Sequence, residues 1–285
     1  MIQGALAGLA SGGLYATVAV CLTVMSRLAR VVNFAQVAVG MFGAFSSVWL
    51  AGPGMPIWLA TVIGILIGAA LSGTVGLVIA TWLAEADVAV RSGTTVAVLL
   101  MLIAISFIVF GTKPLPFTPI FPGAAFTVGS VVISQITVVL VIVAVAVAAT
   151  ARLVLARTSL GLRLRALSER PVTAELLGIR SRPLSVGLWI ASGIVTTFVV
   201  EIVAPSQSND AVSLSMTVVP AAAAALLGAF RRLDLAVVGG LLLGMLDGAL
   251  AQLQGLALLR YFLPFLVIVG LLLWMQRKEV WDVAR

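Results

Sequence analysis

The chain contains 285 residues, of which 62% are hydrophobic and only 9% are charged, and its formal net charge is +7. Soluble domains carry about 25% charged residues, so this composition excludes an ordinary soluble protein and predicts an integral membrane protein. The Lys and Arg residues lie between apolar runs, where the positive-inside rule explains them without nucleic acid, and one cysteine with no histidine predicts neither a disulfide nor a metal site.

Nine apolar segments follow one another along the chain. Each approaches the 20 or so residues that a helix needs to cross the hydrocarbon core, and lipid leaves no water to satisfy an open backbone. The predicted spans are Ile2–Met25, Val31–Leu50, Pro56–Leu83, Gly93–Gly111, Val131–Thr150, Leu184–Val203, Ser213–Phe230, Leu235–Leu253 and Leu256–Met275. The predicted fold is therefore all-α: a polytopic membrane helical bundle of eight or nine transmembrane segments in one domain, residues 1–285.

The distribution of basic residues predicts the orientation of these spans. Arg27, Arg30, the island Arg152–Arg182 and the tail that ends at Arg285 are expected in the cytoplasm, which places the N-terminus outside and the C-terminus inside. The loops expected outside hold one basic residue, Lys113, and they are Gly52–Gly54, Thr112–Gly129 and Ser206–Ala211.

Glycine recurs every four residues in several predicted spans. The positions are Gly4, Gly8, Gly12, Gly64, Gly68, Gly240, Gly244 and Gly248. Small residues at this spacing let helices approach closely in lipid. We expect helix packing within the chain, with a subunit interface as the alternative.

Two amides in the second span are candidates for a transport path. Asn33 and Gln36 lie in an apolar segment, where buried amides either bond to neighbouring helices or face a water-filled channel.

The loop at residues 151–183 concentrates the charge of the chain. It contains seven arginines and only two acids. The arginines are Arg152, Arg157, Arg163, Arg165, Arg170, Arg180 and Arg182, and the acids are Glu169 and Glu175. Pro171 suits the first turn of a helix and Gly178 suits a left-handed stop, so a helix of about two turns is predicted between them. It presents an apolar knob formed by Ala174, Leu176, Leu177 and Ile179. Such a helix either enters a groove on another protein or lies on anionic lipid.

The seventh and eighth predicted spans are short and rich in small residues, and only Arg231-Arg232-Leu233-Asp234 separates them. They form either two ordinary helices with a tight cytoplasmic turn or a broken hairpin that lines a transport site.

Two acids lie within apolar spans. Asp247 in the eighth span costs at least about 2.5 kcal/mol if it is ionised at mid-membrane, so it is expected to face a cavity or a partner. The alternatives for Asp247 are a pair with Arg231 or Arg232, or a position near the outer surface. Glu201 is expected at the outer water interface, with docking of an extracytoplasmic protein as the alternative.

Several motifs, in the same order over nearly the whole chain, resemble the membrane permease subunits of branched-chain amino acid ABC transporters, in the shorter of two related subunit types. They are Gly8–Ala16 with Val32–Gln36, then Thr158–Ala166 with Leu176–Ile179, and finally Leu226–Phe230 with Gly239–Asp247. The second group is similar to the ATPase-coupling loop of that family.

The resemblance implies half of a type II-like ABC importer in the inner membrane of a bacterial cell. It implies a second permease subunit, two cytoplasmic ATPase subunits that bind ATP and Mg²⁺, and an extracytoplasmic substrate-binding protein. By this resemblance Arg165, Glu169, Arg170 and the segment Ala174–Ile179 couple to the ATPases. The substrate path is assigned to Asn33, Phe34, Gln36 and Asp247, and a gate to Arg231, Arg232 and Asp234.

Three departures from the family pattern leave the substrate open. Gln36 stands where the family has histidine, Val37 where it has glycine, and Arg231-Arg232 where it has small residues. The predicted substrates are branched-chain or other small amino acids, and the alternatives are urea or short amides.

Two other classes of function are weaker. A secondary transporter or channel would show more intramembrane acids or a histidine relay, and an enzyme would need a catalytic constellation that the sequence lacks. No G-x-x-x-x-G-K-[ST] phosphate loop occurs, so a transport subunit without its own ATPase site and without a cofactor is predicted.

Overall fold

The computed structural model describes residues 2–51, 55–128, 131–207, 209–253, 255 and 258–283. Predictions that concern Gly52–Gly54, Gly129, Ser208, Leu256 and Arg285 lie outside these described residues. The helices are α1 Ile2–Leu28, α2 Gln36–Leu50, α3 Ile57–Trp82, α4 Val88–Phe110, α5 Gln135–Arg157, α6 Ser159–Glu169, α7 Pro171–Leu176, α8 Ser181–Val203, α9 Ala211–Met216, α10 Val218–Leu227, α11 Leu233–Ala251 and α12 Leu259–Val283. Two strands, β1 Ala124–Val128 and β2 Val131–Ser134, pair antiparallel between α4 and α5.

Seven apolar segments in the described ranges are long enough to cross a membrane, so the chain is a multi-pass helical membrane protein. Two apolar segments are shorter: α2, with 15 residues, and Ala211–Leu227, which consists of α9 and α10. At about 1.5 Å per residue, a 15-residue helix rises only about 22 Å and falls short of a hydrocarbon core of about 30 Å.

The bundle has two ends, and we name them by what they carry. The loop end carries α6 and α7. The last turn of α1 also lies at this end, where Arg27 Nη1 donates a hydrogen bond to the Arg231 carbonyl at 3.1 Å. At the same end, Arg152 forms an ion pair with Asp234 at 3.4 Å. The hairpin end carries β1 and β2, and there the Leu115 N–H donates to the Asn209 carbonyl at 3.2 Å.

Helix α1 lies at the centre of the bundle and packs along α11 through glycines. A Cβ atom on Gly8 would overlap the backbone of Gly244 and Gly248, and a Cβ on Gly240 would overlap Ala16. The two backbones therefore touch directly, as small residues four apart allow in lipid. This contact is inside the chain, which confirms the expectation of intrachain packing for these glycines.

The second span is interrupted at the loop end, so the prediction of one helix over Val31–Leu50 is wrong. Residues 31–35 are not helical, and α2 begins only at Gln36. Two side chains of α4 satisfy the exposed backbone: the Val32 N–H donates to Ser92 Oγ at 3.1 Å and the Phe34 N–H to Thr95 Oγ1 at 2.9 Å. Irregular backbone at membrane depth is tolerated only when protein or water covers it.

The fifth span also begins later than predicted. Residues 131–134 form strand β2, with Ile133 opposite Phe126, and α5 starts at Gln135. Aromatic and β-branched residues favour a strand here. Ser134 then caps α5, since its side chain accepts from the Thr137 N–H at 3.3 Å.

The sequence left open whether Ser213–Phe230 and Leu235–Leu253 are two ordinary helices or a broken hairpin. Helix α11 has 19 residues and is long and apolar enough to cross a membrane, so the second of these segments is an unbroken helix. The preceding segment is the broken one, because it stops at Thr217 between α9 and α10.

Candidate functional site

The charged loop at the loop end stands on a tightly packed corner between α5 and α6. Thr158 Oγ1 donates to the Val154 carbonyl at 2.7 Å and accepts from the Gly161 N–H at 3.1 Å. A Cβ on Gly161 would overlap the backbone of Val154 and Leu155. The two helices therefore meet backbone to backbone.

Helix α6 is also tied to α1. Leu164 and Leu167 are buried against the bundle, while the Arg30 guanidinium donates to the Ser168 carbonyl. This gives the loop a second connection to the transmembrane helices.

The short helix α7 has the predicted ends. Pro171 occupies its first turn, and Gly178 follows it with φ +83° in the left-handed region, where glycine is favoured. The Gly178 N–H donates to the Glu175 carbonyl at 2.9 Å and the Ile179 N–H to the Ala174 carbonyl at 3.1 Å, which closes the helix.

The apolar patch on α7 differs in part from the predicted knob. Leu176 and Leu177 are 83% and 77% exposed, and Val172 is exposed beside them. Ala174 is only 3% exposed, so its predicted place on the knob is wrong, and Ile179 is half-buried. Side chains one turn apart share a face, so Val172 and Leu176 form the patch, Leu177 extends it, and Ala174 faces the bundle.

We call this surface the α7 patch (Val172, Leu176 and Leu177). The neighbouring part of the chain, from α6 to the residues after α7, also exposes five charged residues: Arg165, Glu169, Arg170, Glu175 and Arg180. An exposed apolar cluster with a charged rim is typical of a protein-binding surface.

Asn33 and Gln36 lie at the break before α2 and are fully buried. Asn33 Nδ2 donates to Gln36 Oε1 at 2.8 Å, and Gln36 Nε2 donates to the Ser192 carbonyl at 3.0 Å and to Thr196 Oγ1. These bonds join the broken segment to α8. The Phe34 side chain is half-buried next to them. The sequence allowed these amides either to bond to a neighbouring helix or to face a water-filled channel. Gln36 does the first, because its amide bonds to α8.

The predicted gate residues are exposed at the loop end, with Arg231 and Arg232 in the turn between α10 and α11 and Asp234 in the first turn of α11. Asp234 pairs with Arg152 of α5, and the carbonyl of Arg231 accepts from Arg27 of α1. Arg232 is exposed before the first turn of α11. The residues thus connect α11 to α1 and α5, and a gating role stays a prediction.

Asp247 lines a cavity of about 420 Å³ at the hairpin end. Arg231 and Arg232 lie at the other end of α11, some 15 residues or about 22 Å away, so the predicted pairing with either is wrong. The base in this cavity is Arg260, in the first turn of α12. Its guanidinium donates to Tyr261 Oη at 2.8 Å and lies 4.7 Å from the centre of that ring.

The remaining wall of the cavity is partly polar and partly apolar. Tyr15, Gln207, Ser213 and Thr217 supply polar groups, and the apolar part is formed by Val212, Leu214, Met216, Val219, Pro220, Leu243, Leu263, Pro264 and Phe265. The ion pair found in the described residues joins Arg152 and Asp234, so Asp247 and Arg260 are not directly bonded to each other. A ligand with both charges and an apolar portion matches this arrangement.

Sequence reasoning missed most of this cavity. Arg260 is a basic residue within an apolar span, a signal that alone could have singled it out. Tyr15, Gln207 and Thr217 come from distant parts of the chain, and the packing of α10 against both α1 and α12 helps to bring them together.

Glu201 is 4% exposed, so the expectation that it lies at the water interface is wrong. It lies in α8 close to the hairpin end, packed against α2 and α3.

The family model described as "Branched-chain amino acid transport system / permease component" matches residues 4–272. Neither a curated protein nor a solved structure matches the chain.

Proposed function

We propose that this chain, which belongs to the family of permease components of branched-chain amino acid transport systems, is one membrane subunit of an ATP-driven importer for branched-chain or other small amino acids. It pairs with a second permease subunit, receives substrate from an extracytoplasmic binding protein, and is moved by two cytoplasmic ATPases that bind ATP and Mg²⁺. The loop end faces the cytoplasm of a bacterial cell and the hairpin end faces outside, as the arginines of the loop favour.

The observation that carries this proposal is the α7 patch. Leucines exposed to this degree on a capped helix are costly unless a partner covers them, and the arginines around them suit an acidic rim. The sequence holds no phosphate loop of its own, which is consistent with a motor supplied by another chain.

The connections of α6 suggest how movement of the ATPases reaches the membrane. The Thr158–Gly161 corner transmits it to α5, and the contact between Arg30 and Ser168 transmits it to α1. A cavity of about 550 Å³ with apolar walls lies among α1, α5, α6 and α8, so these helices have room to shift at the loop end. Because α1 also carries Tyr15 into the Asp247 cavity, a shift of α1 would change the substrate path.

The Asp247 cavity suggests the chemistry of the substrate. A zwitterionic amino acid has an ammonium group, which can donate hydrogen bonds to the Asp247 carboxylate. Its own carboxylate can accept charge-assisted hydrogen bonds from the Arg260 guanidinium. Leu243, Leu263 and Phe265 then face its side chain. The cavity volume of about 420 Å³ leaves space for a small amino acid and some water.

We predict that Asp247→Asn and Arg260→Gln each weaken amino acid uptake in proteoliposomes that contain the complete complex. A hydrogen bond to a charged group contributes about 1.5–3 kcal/mol, so the apparent affinity should fall roughly tenfold to a hundredfold. The matched control is Glu85→Gln, which removes an exposed acid between α3 and α4. Unchanged uptake in both cavity variants, at equal amounts of assembled complex, would remove this cavity from the path.

A further inference from the structure

Glu201 is the most deeply buried acid whose environment the proposed transport path leaves unexplained. Its Oε1 atom lies against Gly64 of α3, where an added Cβ would be 2.5 Å from that oxygen and 2.7 Å from the Gly43 carbonyl oxygen of α2. The glycine therefore makes room for the carboxylate. The Glu201 carboxylate of α8 and the Gly43 carbonyl of α2 therefore both pack directly on the backbone of α3 at Gly64.

The carboxylate has no basic partner among the described residues, and its nearest polar neighbours are the Ser47 and Thr61 hydroxyls. Neither Oε1 nor Oε2 has a hydrogen bond, and the described ion pair is the distant one between Arg152 and Asp234. A buried carboxylate without a counter-charge costs several kcal/mol. A group that neutralises or bonds to it is therefore expected at this position.

Glu201 borders a cavity of about 220 Å³ at the hairpin end. Three hydroxyl side chains share its wall: Ser47 of α2, Thr61 of α3 and Thr118 of the loop before β1. Ser47 Oγ already donates its proton to the Ala44 carbonyl at 2.7 Å, so it offers a lone pair to the cavity. The wall thus presents oxygen ligands around one acid.

The loop over the cavity favours a small occupant. Phe117 lies in the cavity wall and packs on Phe45 of α2 with ring centres 5.8 Å apart, and Glu201 is buried beneath this loop. A protein side chain from outside would have to displace the loop. A small ion would not.

We propose that Glu201, with hydroxyl oxygens of Ser47, Thr61 and Thr118, binds one alkali metal cation, sodium or potassium. Hard cations prefer oxygen ligands, and one carboxylate among neutral hydroxyls balances a single positive charge. A divalent ion ordinarily needs more acids, and in the described part of the chain no three Cys, Asp or Glu side chains come together. Helices α2 and α8 both end at this cavity, and the partial negative charge of their C-terminal carbonyls adds to the attraction. The cation joins α2, α3 and α8 at the hairpin end.

The test measures thermal unfolding of the full chain, purified in nanodiscs with the partners that copurify, at constant ionic strength. Sodium chloride, potassium chloride and choline chloride are compared up to 150 mM. At least one alkali ion should raise the melting temperature of the wild type saturably, by about 2–4 °C over choline, because a ligand that binds only the folded state stabilises it. E201Q should lose this difference, and Ser47→Ala should shift its midpoint to higher salt. Glu85→Gln, which removes an exposed acid, should keep it.

Two results would overturn the cation site. One is a wild-type melting temperature that is the same in all three salts, and the other is a full response that persists in E201Q. If E201Q does not fold, infrared difference spectra of wild type against Ser47→Ala in sodium chloride decide the matter: an ionised carboxylate band supports the site, and a protonated carboxyl band at neutral pH contradicts it. Neither measurement depends on ATPases or on transport, so the proposed importer function stands or falls separately.

Discussion

Replacing Leu177 by aspartate is expected to abolish ATP-driven uptake while the chain still inserts and folds in the membrane. The Leu177 side chain is 77% exposed, so the change should leave the stability of the chain almost unaffected. In the proposed complex the same side chain is buried in an ATPase groove. An unpaired carboxylate there would cost several kcal/mol, which is enough to separate the two proteins. Copurification of the ATPases and uptake in proteoliposomes measure the effect.

Two control variants show whether the effect depends on the charge introduced and on its position in the α7 patch. Leu177→Met keeps an apolar side chain of similar volume and should retain the ATPases. Val88→Asp places the same charge on another exposed apolar residue, at the start of α4, and should also retain them. Normal ATPase copurification with Leu177→Asp would show that the α7 patch is not the coupling surface.

Replacing Gly244 by valine is expected to prevent the close packing of α1 on α11. A Cβ at this position would overlap the backbone of Gly8 and Gly12, and backbone atoms cannot rotate away as a side chain can. Overpacking of a core costs about 1–3 kcal/mol even where side chains adjust, so we expect a loss of about 3 kcal/mol or more in the free energy of unfolding. Detergent-induced unfolding followed by circular dichroism measures it.

The matched control for this prediction is Gly270→Val in α12. No atom lies within 4 Å of a Cβ placed on Gly270, so the same substitution meets open space there. The control should change the stability by far less than Gly244→Val. Equal effects at the two positions would mean that α1 and α11 are not in backbone contact.

Features with a local cause could be predicted from the sequence. Helix α7 is bounded by Pro171 and Gly178, whose backbone preferences do not depend on the rest of the fold. The apolar segments were recognisable because lipid requires long runs without charge. The pairing of Gly8 with Gly244 could be expected in kind, although the partner helix could not be named.

Features with a tertiary cause could not be predicted. The break at residues 31–35 depends on Ser92 and Thr95 of α4, which satisfy the Val32 and Phe34 N–H groups from 60 residues away. Ala174 looked like part of an exposed knob because its orientation toward the bundle depends on how α6 and α7 pack.

The candidate site was predictable only in part, for the same reason. Asp247 was noticeable as an acid in an apolar span, whereas Arg260 and Tyr15 become its neighbours through the packing of three helices. Glu201 was expected in water, because the sequence does not reveal that α2, α3 and the loop before β1 enclose it.

The central claim is that the α7 patch is held by a cytoplasmic ATPase, and a cysteine at position 177 tests it most directly. The chain has one cysteine, Cys21, which is only 6% exposed, so Leu177→Cys would present the reactive thiol. We predict that an impermeant maleimide labels this cysteine in inside-out vesicles and not in right-side-out vesicles, and that a short thiol crosslinker joins it to the ATPase subunit of the copurified complex. Labelling from the outside only, or a complex in which the thiol forms no crosslink to an ATPase, would contradict the account.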